Sequence, residues 1–368
     1  MSTPAASPWL PTAPCTPDPC AAHPGAAAPR GGALEGAFRL ATGLATVLLG
    51  VLLSPLAAPL PAAGRLLLVR LWCRAVLRAF GVRIRVTGRP VPAAGPLLVV
   101  ANHISWLDVP LVAAVLPGRM LAKREVRGWP VLGPLAALGG TVFIDRDRLR
   151  SLPGTVAAMT GALSAGGRVV VFPEGSTWCG RARGPFRAAA FQAAVDAGVP
   201  VQPVRLHYTP VGAAGYVGED SLGASLWRIA GTPGLVAELR LLDPLAPPAP
   251  AREPKDAPGG RPRPRAALEE RGGGQGGGRA SGSKRPEANR ARKAPAPGPA
   301  GREARRILAR AAEAAVALDP PGRTPAPSPV PLPAQTTVAS ESANRPCSSV
   351  HQWDGANPAA VSSARTPS

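Results

Sequence analysis

The chain has 368 residues, 45% of them hydrophobic, with a net charge of +20. Its 42 Gly and 47 Pro make up about a quarter of the length, roughly twice the usual share, so the whole chain cannot form one packed core. The five cysteines (Cys15, Cys20, Cys73, Cys179, Cys347) are scattered, odd in number and without metal-site or redox-motif spacing, which makes a reduced, cytosol-facing compartment the default and no metal the expectation.

Residues 1–33 are rich in Ala and Pro, lack hydrophobic periodicity and read as disordered. Between Arg39 and Arg65 lie 25 uncharged residues. A helix of that length would span ~37 Å, but Pro55, Pro59 and Pro61 crowd its second half. The uninterrupted part, Leu40 to Ser54, covers only ~22 Å of a ~30 Å hydrocarbon core, so spanning and half-inserted helices are both open. Arg65, Arg70, Arg74 and Arg78 then recur among Leu, Val, Trp72 and Phe80, the pattern of a basic amphipathic helix suited to a headgroup layer. Residues 34–80 are therefore expected to associate with membrane lipids, with an ordinary domain helix as the alternative for the basic stretch.

From 81 to 250 short β-type runs alternate with helical ones. Strands are expected at Val82–Val86, Leu97–Ala101, Thr141–Ile144, Arg168–Phe172, Val201–Leu206 and Val236–Leu241, and helices at Trp106–Val115, Leu152–Ala165 and Arg187–Ala197. This alternation predicts an α/β fold, a mostly parallel sheet flanked by helices. Residues 251–301 read as a disordered basic insertion, 302–318 as a helix and 319–368 as a disordered tail. Half of the excess charge lies between Arg252 and Arg310, where 16 Lys/Arg meet 6 Asp/Glu. No aromatics are interleaved there, so no specific nucleic-acid partner is expected, and anionic lipid is slightly preferred.

Two blocks carry chemistry: Asn102-His-Ile-Ser-Trp-Leu-Asp108 and Phe172-Pro-Glu-Gly-Ser-Thr177. Each follows an expected strand, where the working residues of parallel sheets collect. A positioned imidazole can take the proton of a weakly nucleophilic alcohol, and a carboxylate on its other nitrogen fixes the tautomer. His103 and Asp108 fit these roles if His103 lies in the turn before a helix and Asp108 in its first turns. The spacing alone is a weak signal, and a structural histidine is its simpler reading. A serine hydrolase is disfavoured, because the chain has no Gly-x-Ser-x-Gly stretch.

With Phe143-Ile-Asp-Arg146 and Val199-Pro-Val-Gln-Pro-Val204 added, the ordered blocks resemble those of the glycerolipid acyltransferase family, over roughly residues 65–245. The best-known members of that family are 1-acylglycerol-3-phosphate acyltransferases. The resemblance implies an O-acyltransferase with His103 as general base and Asp108 as its partner. It places Arg146 on the acceptor phosphate, with Lys123 as a further basic position nearby. It gives Glu174, Gly175 and Ser176 to acceptor binding and site shape. A backbone N–H near Gly175 is a candidate oxyanion donor. The implied partners are lysophosphatidate, acyl-CoA or acyl carrier protein as co-substrate, and membrane lipids. No cofactor is implied, and the active site should face the cytoplasm. Glycerol-3-phosphate, another lysophospholipid or a lyso-aminolipid stands as the alternative acceptor.

Overall fold

The computed structural model describes residues 12–17, 20, 31–57, 59–90, 95–129, 132–247 and 298–317. The expected basic insertion at 251–301, apart from 298–301, and the tail beyond 318 lie outside them.

Seven strands form one sheet: β1 (Arg83–Gly88), β2 (Leu97–Ala101), β3 (Arg119–Lys123), β4 (Val142–Ile144), β5 (Arg168–Val171), β6 (Val201–Thr209) and β7 (Val236–Leu241). Their order is β1-β7-β6-β2-β5-β3-β4. Every neighbouring pair is parallel except β6–β7. The α/β class with a mostly parallel sheet flanked by helices therefore holds.

The central strand β2 is buried along its whole length. Its Leu-Leu-Val-Val-Ala run suits that place, because parallel strands covered on both faces need apolar side chains in both directions. Leu97, Val99 and Ala101 enter one core with α2 (Ala62–Ala79), α3 (Asp108–Val115) and α8 (Leu222–Ala230). Leu98 and Val100 enter the other, with α5 (Leu152–Ser164), α6 (Phe191–Ala197) and α9 (Pro299–Ala317). Leu98, Val99 and Val100 are fully buried, each contributing about 1.5–3 kcal/mol over an exposed position. Two further short helices are α4 (Leu132–Leu138) and α7 (Val211–Ala214).

The helix α1 (Ala33–Leu53) continues as a 3₁₀ turn through Ala57 where Pro55 ends the regular hydrogen bonding. The 25-residue stretch Ala33–Ala57 is long and apolar enough to cross a membrane, and almost none of it is buried. Leu44, Leu48, Leu49 and Leu52 face outward. The basic helix α2 is in part an ordinary domain helix. Cys73, Val76 and Leu77 pack into the domain, and Arg70 Nη2 donates to the Val115 carbonyl at 3.0 Å. Its leucines 66, 67, 68 and 71 remain exposed beside α1.

Four elements escaped the sequence reading: β3, α4, α7 and α8. A further departure concerns residues 12–17 and 20, which lie inside the stretch expected to be disordered. Cys15 and Cys20 are buried, in a small cluster with Trp178, Cys179 and Val217.

Candidate active site

The strands β6, β2, β5, β3 and β4 are successive parallel neighbours, so their C-terminal ends share one edge of the sheet. His103 follows β2, Glu174 follows β5, Lys123 ends β3, Arg146 follows β4, and Tyr208 lies near the end of β6.

The turn after β2 leads directly into α3, whose first residue is Asp108. An acidic residue in a first helical turn is favoured by the exposed N–H groups there. Asp108 also reaches back. Its Oδ2 accepts from the backbone N–H of Ile104 at 2.6 Å and of Ser105 at 2.8 Å, and lies 2.7 Å from His103 Nδ1. Its Oδ1 accepts from the Tyr208 hydroxyl at 2.6 Å. Four donors saturate a fully buried carboxylate, which leaves it an acceptor for the Nδ1 proton and turns Nε2 into the basic nitrogen of the ring. The ring stacks on Phe172, centroids 4.2 Å apart at 17°, which sets its plane. The His103 side chain is 20% exposed, so it remains reachable while Asp108 does not. The close approach needed across five residues is supplied by the turn, as the sequence required.

Glu174 is 3% exposed, and both its oxygens are engaged by backbone: Oε2 accepts from the His103 N–H at 2.7 Å and Oε1 from the Gly184 N–H at 3.2 Å. These two bonds tie Glu174 to the backbone of His103 and of Gly184. Burial pushes its carboxyl up to about 8, against the pull of those two N–H donors. The His103 carbonyl in turn accepts from the Trp178 N–H at 2.7 Å, so the turn is gripped from both sides.

Gly175 has φ 76°, a conformation that favours glycine. Its N–H is spent within its own turn, on the Phe172 carbonyl at 3.1 Å. That removes Gly175 itself as the oxyanion donor considered from the sequence. Its carbonyl accepts from Arg146 Nη1. Asp145 does not compete for Arg146, because it pairs with Arg124 at 3.0 Å. Lys123 pairs in register with Ile144, next to Arg146 in space. Burial and, after it, the Arg146 charge lower the Lys123 ammonium; burial also lowers Arg146. Neither forms an ion pair among the described residues. Glu125 offsets part of both charges and Asp147 part of that on Lys123, yet two cations held this close still suit an anionic ligand. Ser176 is half-buried beside Gly175.

Two supporting residues were not singled out from the sequence. Tyr208 braces Asp108. Asn102 ties β2 to β6, donating from Nδ2 to the Leu206 carbonyl at 3.0 Å and accepting from the Leu206 N–H at 2.8 Å. Asn102 belongs to the first block and was within reach; Tyr208 carried no local signal. Arg183, in the loop that follows Phe172–Thr177, donates to the Ala317 carbonyl at the end of α9.

A sequence-family profile described as "Acyltransferase" matches residues 83–207. A 1-acyl-sn-glycerol-3-phosphate acyltransferase of Neisseria meningitidis is 41% identical over 135 residues, 37% of this chain and 53% of that protein. A lyso-ornithine lipid O-acyltransferase of Pseudomonas aeruginosa is 36% identical over 188 residues, 49% of this chain and 70% of that protein. The human 1-acyl-sn-glycerol-3-phosphate acyltransferase alpha is 35% identical over 141 residues, 37% of this chain and 50% of that protein. The chain thus spans about half the length of the Neisseria and human relatives and more than two thirds of the Pseudomonas one. On that extent of likeness, with the matched segment running from β1 into β6 and enclosing the His103–Asp108 pair, the chain belongs to the acyltransferase family.

Proposed function

We propose that this protein transfers a fatty acyl group from acyl-CoA or acyl carrier protein to the 2-hydroxyl of 1-acyl-glycerol-3-phosphate, forming phosphatidic acid at a membrane surface. The observation that carries the reading is the His103–Asp108 pair at the sheet edge, beside the cationic pair Lys123–Arg146. His103 Nε2 takes the hydroxyl proton as the alcohol oxygen attacks the thioester carbonyl. The tetrahedral intermediate collapses, the C–S bond breaks, and the imidazolium returns its proton to the leaving thiolate. Asp108 steadies the imidazolium while it exists. Arg146, with its planar fork, and Lys123 take the acceptor phosphate. The exposed leucines of α1 and α2 keep the site where lipid substrates lie, with the active site facing the cytoplasm.

The more extensive likeness to the lyso-ornithine lipid O-acyltransferase supports a second reading, the same transfer onto an amine-containing lyso-lipid. Labelled acyl-CoA offered with lysophosphatidate, glycerol-3-phosphate, lysophosphatidylethanolamine and lyso-ornithine lipid separates the two. Lysophosphatidate should give the highest kcat/KM, and His103→Ala should lower turnover at least ~10²-fold without unfolding the protein. A preference for lyso-ornithine lipid selects the second reading, and an unimpaired His103→Ala variant rejects both.

A further inference from the structure

Cys15, Cys20 and Cys179 come from remote parts of the chain, yet their sulfurs all lie within 4.8 Å of one another. The three side chains are 2%, 1% and 2% exposed. Trp178 and Val217 close the pocket around them, with Ala13 and Ala182 at its rim. None of the three is held in a disulfide. A structural disulfide would use two of them and strand the third. A tetrahedral zinc with Zn–S of about 2.3 Å sets its sulfurs about 3.8 Å apart, so the triad needs only a small contraction to close on one ion.

A second, independent feature points to thiolates. The backbone N–H groups of Arg181 and Ala182 both bond to the Cys179 sulfur, the kind of support that thiolate ligands receive around bound metals. Cys15 and Cys20 are close in sequence, and the Cys20 N–H donates to the Thr16 carbonyl at 3.3 Å. Two ligands close in sequence and a third from a distant loop is a common construction of structural zinc sites.

We propose that Cys15, Cys20 and Cys179 form a three-thiolate site for a soft divalent cation, zinc foremost, with the fourth position taken by solvent. Each thiol releases its proton to solvent as the ion binds. The ion fastens Cys15 and Cys20 onto the loop 178–184. That loop touches the proposed active site at both ends: the Trp178 N–H holds the His103 carbonyl, and the Gly184 N–H holds Glu174. The site is therefore a staple for the loop that grips the general base; this last consequence rests on the proposed function, whereas metal binding itself does not.

The test uses the full chain, purified in detergent under reducing conditions without chelator, with zinc measured by elemental mass spectrometry. About one zinc per chain is expected, falling below about a tenth of that in Cys179→Ser and in Cys15→Ser, and unchanged in Cys73→Ser. Cobalt added to the chelated wild-type protein should give a thiolate charge-transfer band that zinc abolishes, a readout independent of any variant that fails to fold. Absence of retained zinc and of the cobalt band in fully reduced protein overturns the site. So does a disulfide between two of the three cysteines found by mass spectrometry, or a zinc content indifferent to their replacement. If zinc binds but chelation leaves acyl transfer intact, the staple is overturned and the site stands. If zinc-loaded protein transfers no acyl group to any acceptor, the proposed function fails and the metal site does not.

Discussion

The backbone N–H of His103 and the Oε2 of Glu174 lie 2.7 Å apart, and the carbonyl of the same histidine accepts from Trp178 at 2.7 Å. The residue proposed as base is thus held by its backbone from the third sequence block and by its ring from Asp108. Two separate restraints on one side chain reduce the ordering left to the moment of reaction, which is how positioned groups gain rate.

Glu174 makes this arrangement sensitive to pH. Burial raises its carboxyl from the ordinary 4.5 to about 8. The folded protein therefore keeps a proton that the unfolded chain has lost, and stability should fall as pH rises from about 4.5 to about 8, then level off. The inactivation midpoint of the wild type relative to Glu174→Gln, measured in detergent across that range, should decline accordingly. A constant difference from pH 5 to pH 9 would show that Glu174 does not titrate in this window.

The carboxylate of Asp108 accepts from four donors, and an amide cannot. Asp108→Asn should lower kcat by about 10²–10⁴-fold, the usual worth of a positioned general base, with a smaller effect on KM. Tyr208→Phe is a finer probe. It removes one donor from Oδ1 and should cost about 1.5–3 kcal/mol of stability, the range for hydrogen bonds to charged groups. Thermal unfolding and steady-state kinetics on the same samples would check both; a Tyr208→Phe protein as stable as wild type would remove Tyr208 from the bracing role.

Arg146→Ala should raise KM for lysophosphatidate by about tenfold or more, as expected when a charge-assisted pair with phosphate is lost. Arg146→Lys should recover only part of it, since lysine keeps the charge and not the fork. For an acceptor without phosphate, both variants should leave KM near its wild-type value. An equal rise for both classes of acceptor would mean that Arg146 acts through its bond to Gly175 instead.

The pairing of α1 with α2 depends on Gly50. A Cβ there would collide with the Trp72 indole, and the same indole Nε1 donates to the Thr46 carbonyl at 3.0 Å. Gly50→Leu should splay the two helices and cost about 1–3 kcal/mol, typical of overpacking, while leaving the protein in the membrane fraction. Membrane fractionation and a melting curve would test this; an unchanged melting temperature would show that the two helices do not support the domain.

Local information in the sequence was enough for the α/β class, the ends of β2 and β7, the apolar N-terminal helix and the His103–Asp108 turn. Each depends on side-chain period or on spacing within a few residues, which a linear reading can measure. It missed β3, because Arg-Met-Leu-Ala-Lys has basic ends and no β-branched residue; that strand exists through its pairing between β5 and β4. It missed α8 despite the Ser221 cap, whose side chain accepts from the Ala224 N–H. Only the tertiary structure brought Tyr208 onto Asp108, turned Glu174 toward the His103 backbone and gathered Cys15 and Cys20 around Cys179. Those contacts follow from the strand order β6-β2-β5 and from a segment docking far along the chain. Neither leaves a periodic trace in the sequence, because each is decided by which buried surfaces fit together once the sheet has formed.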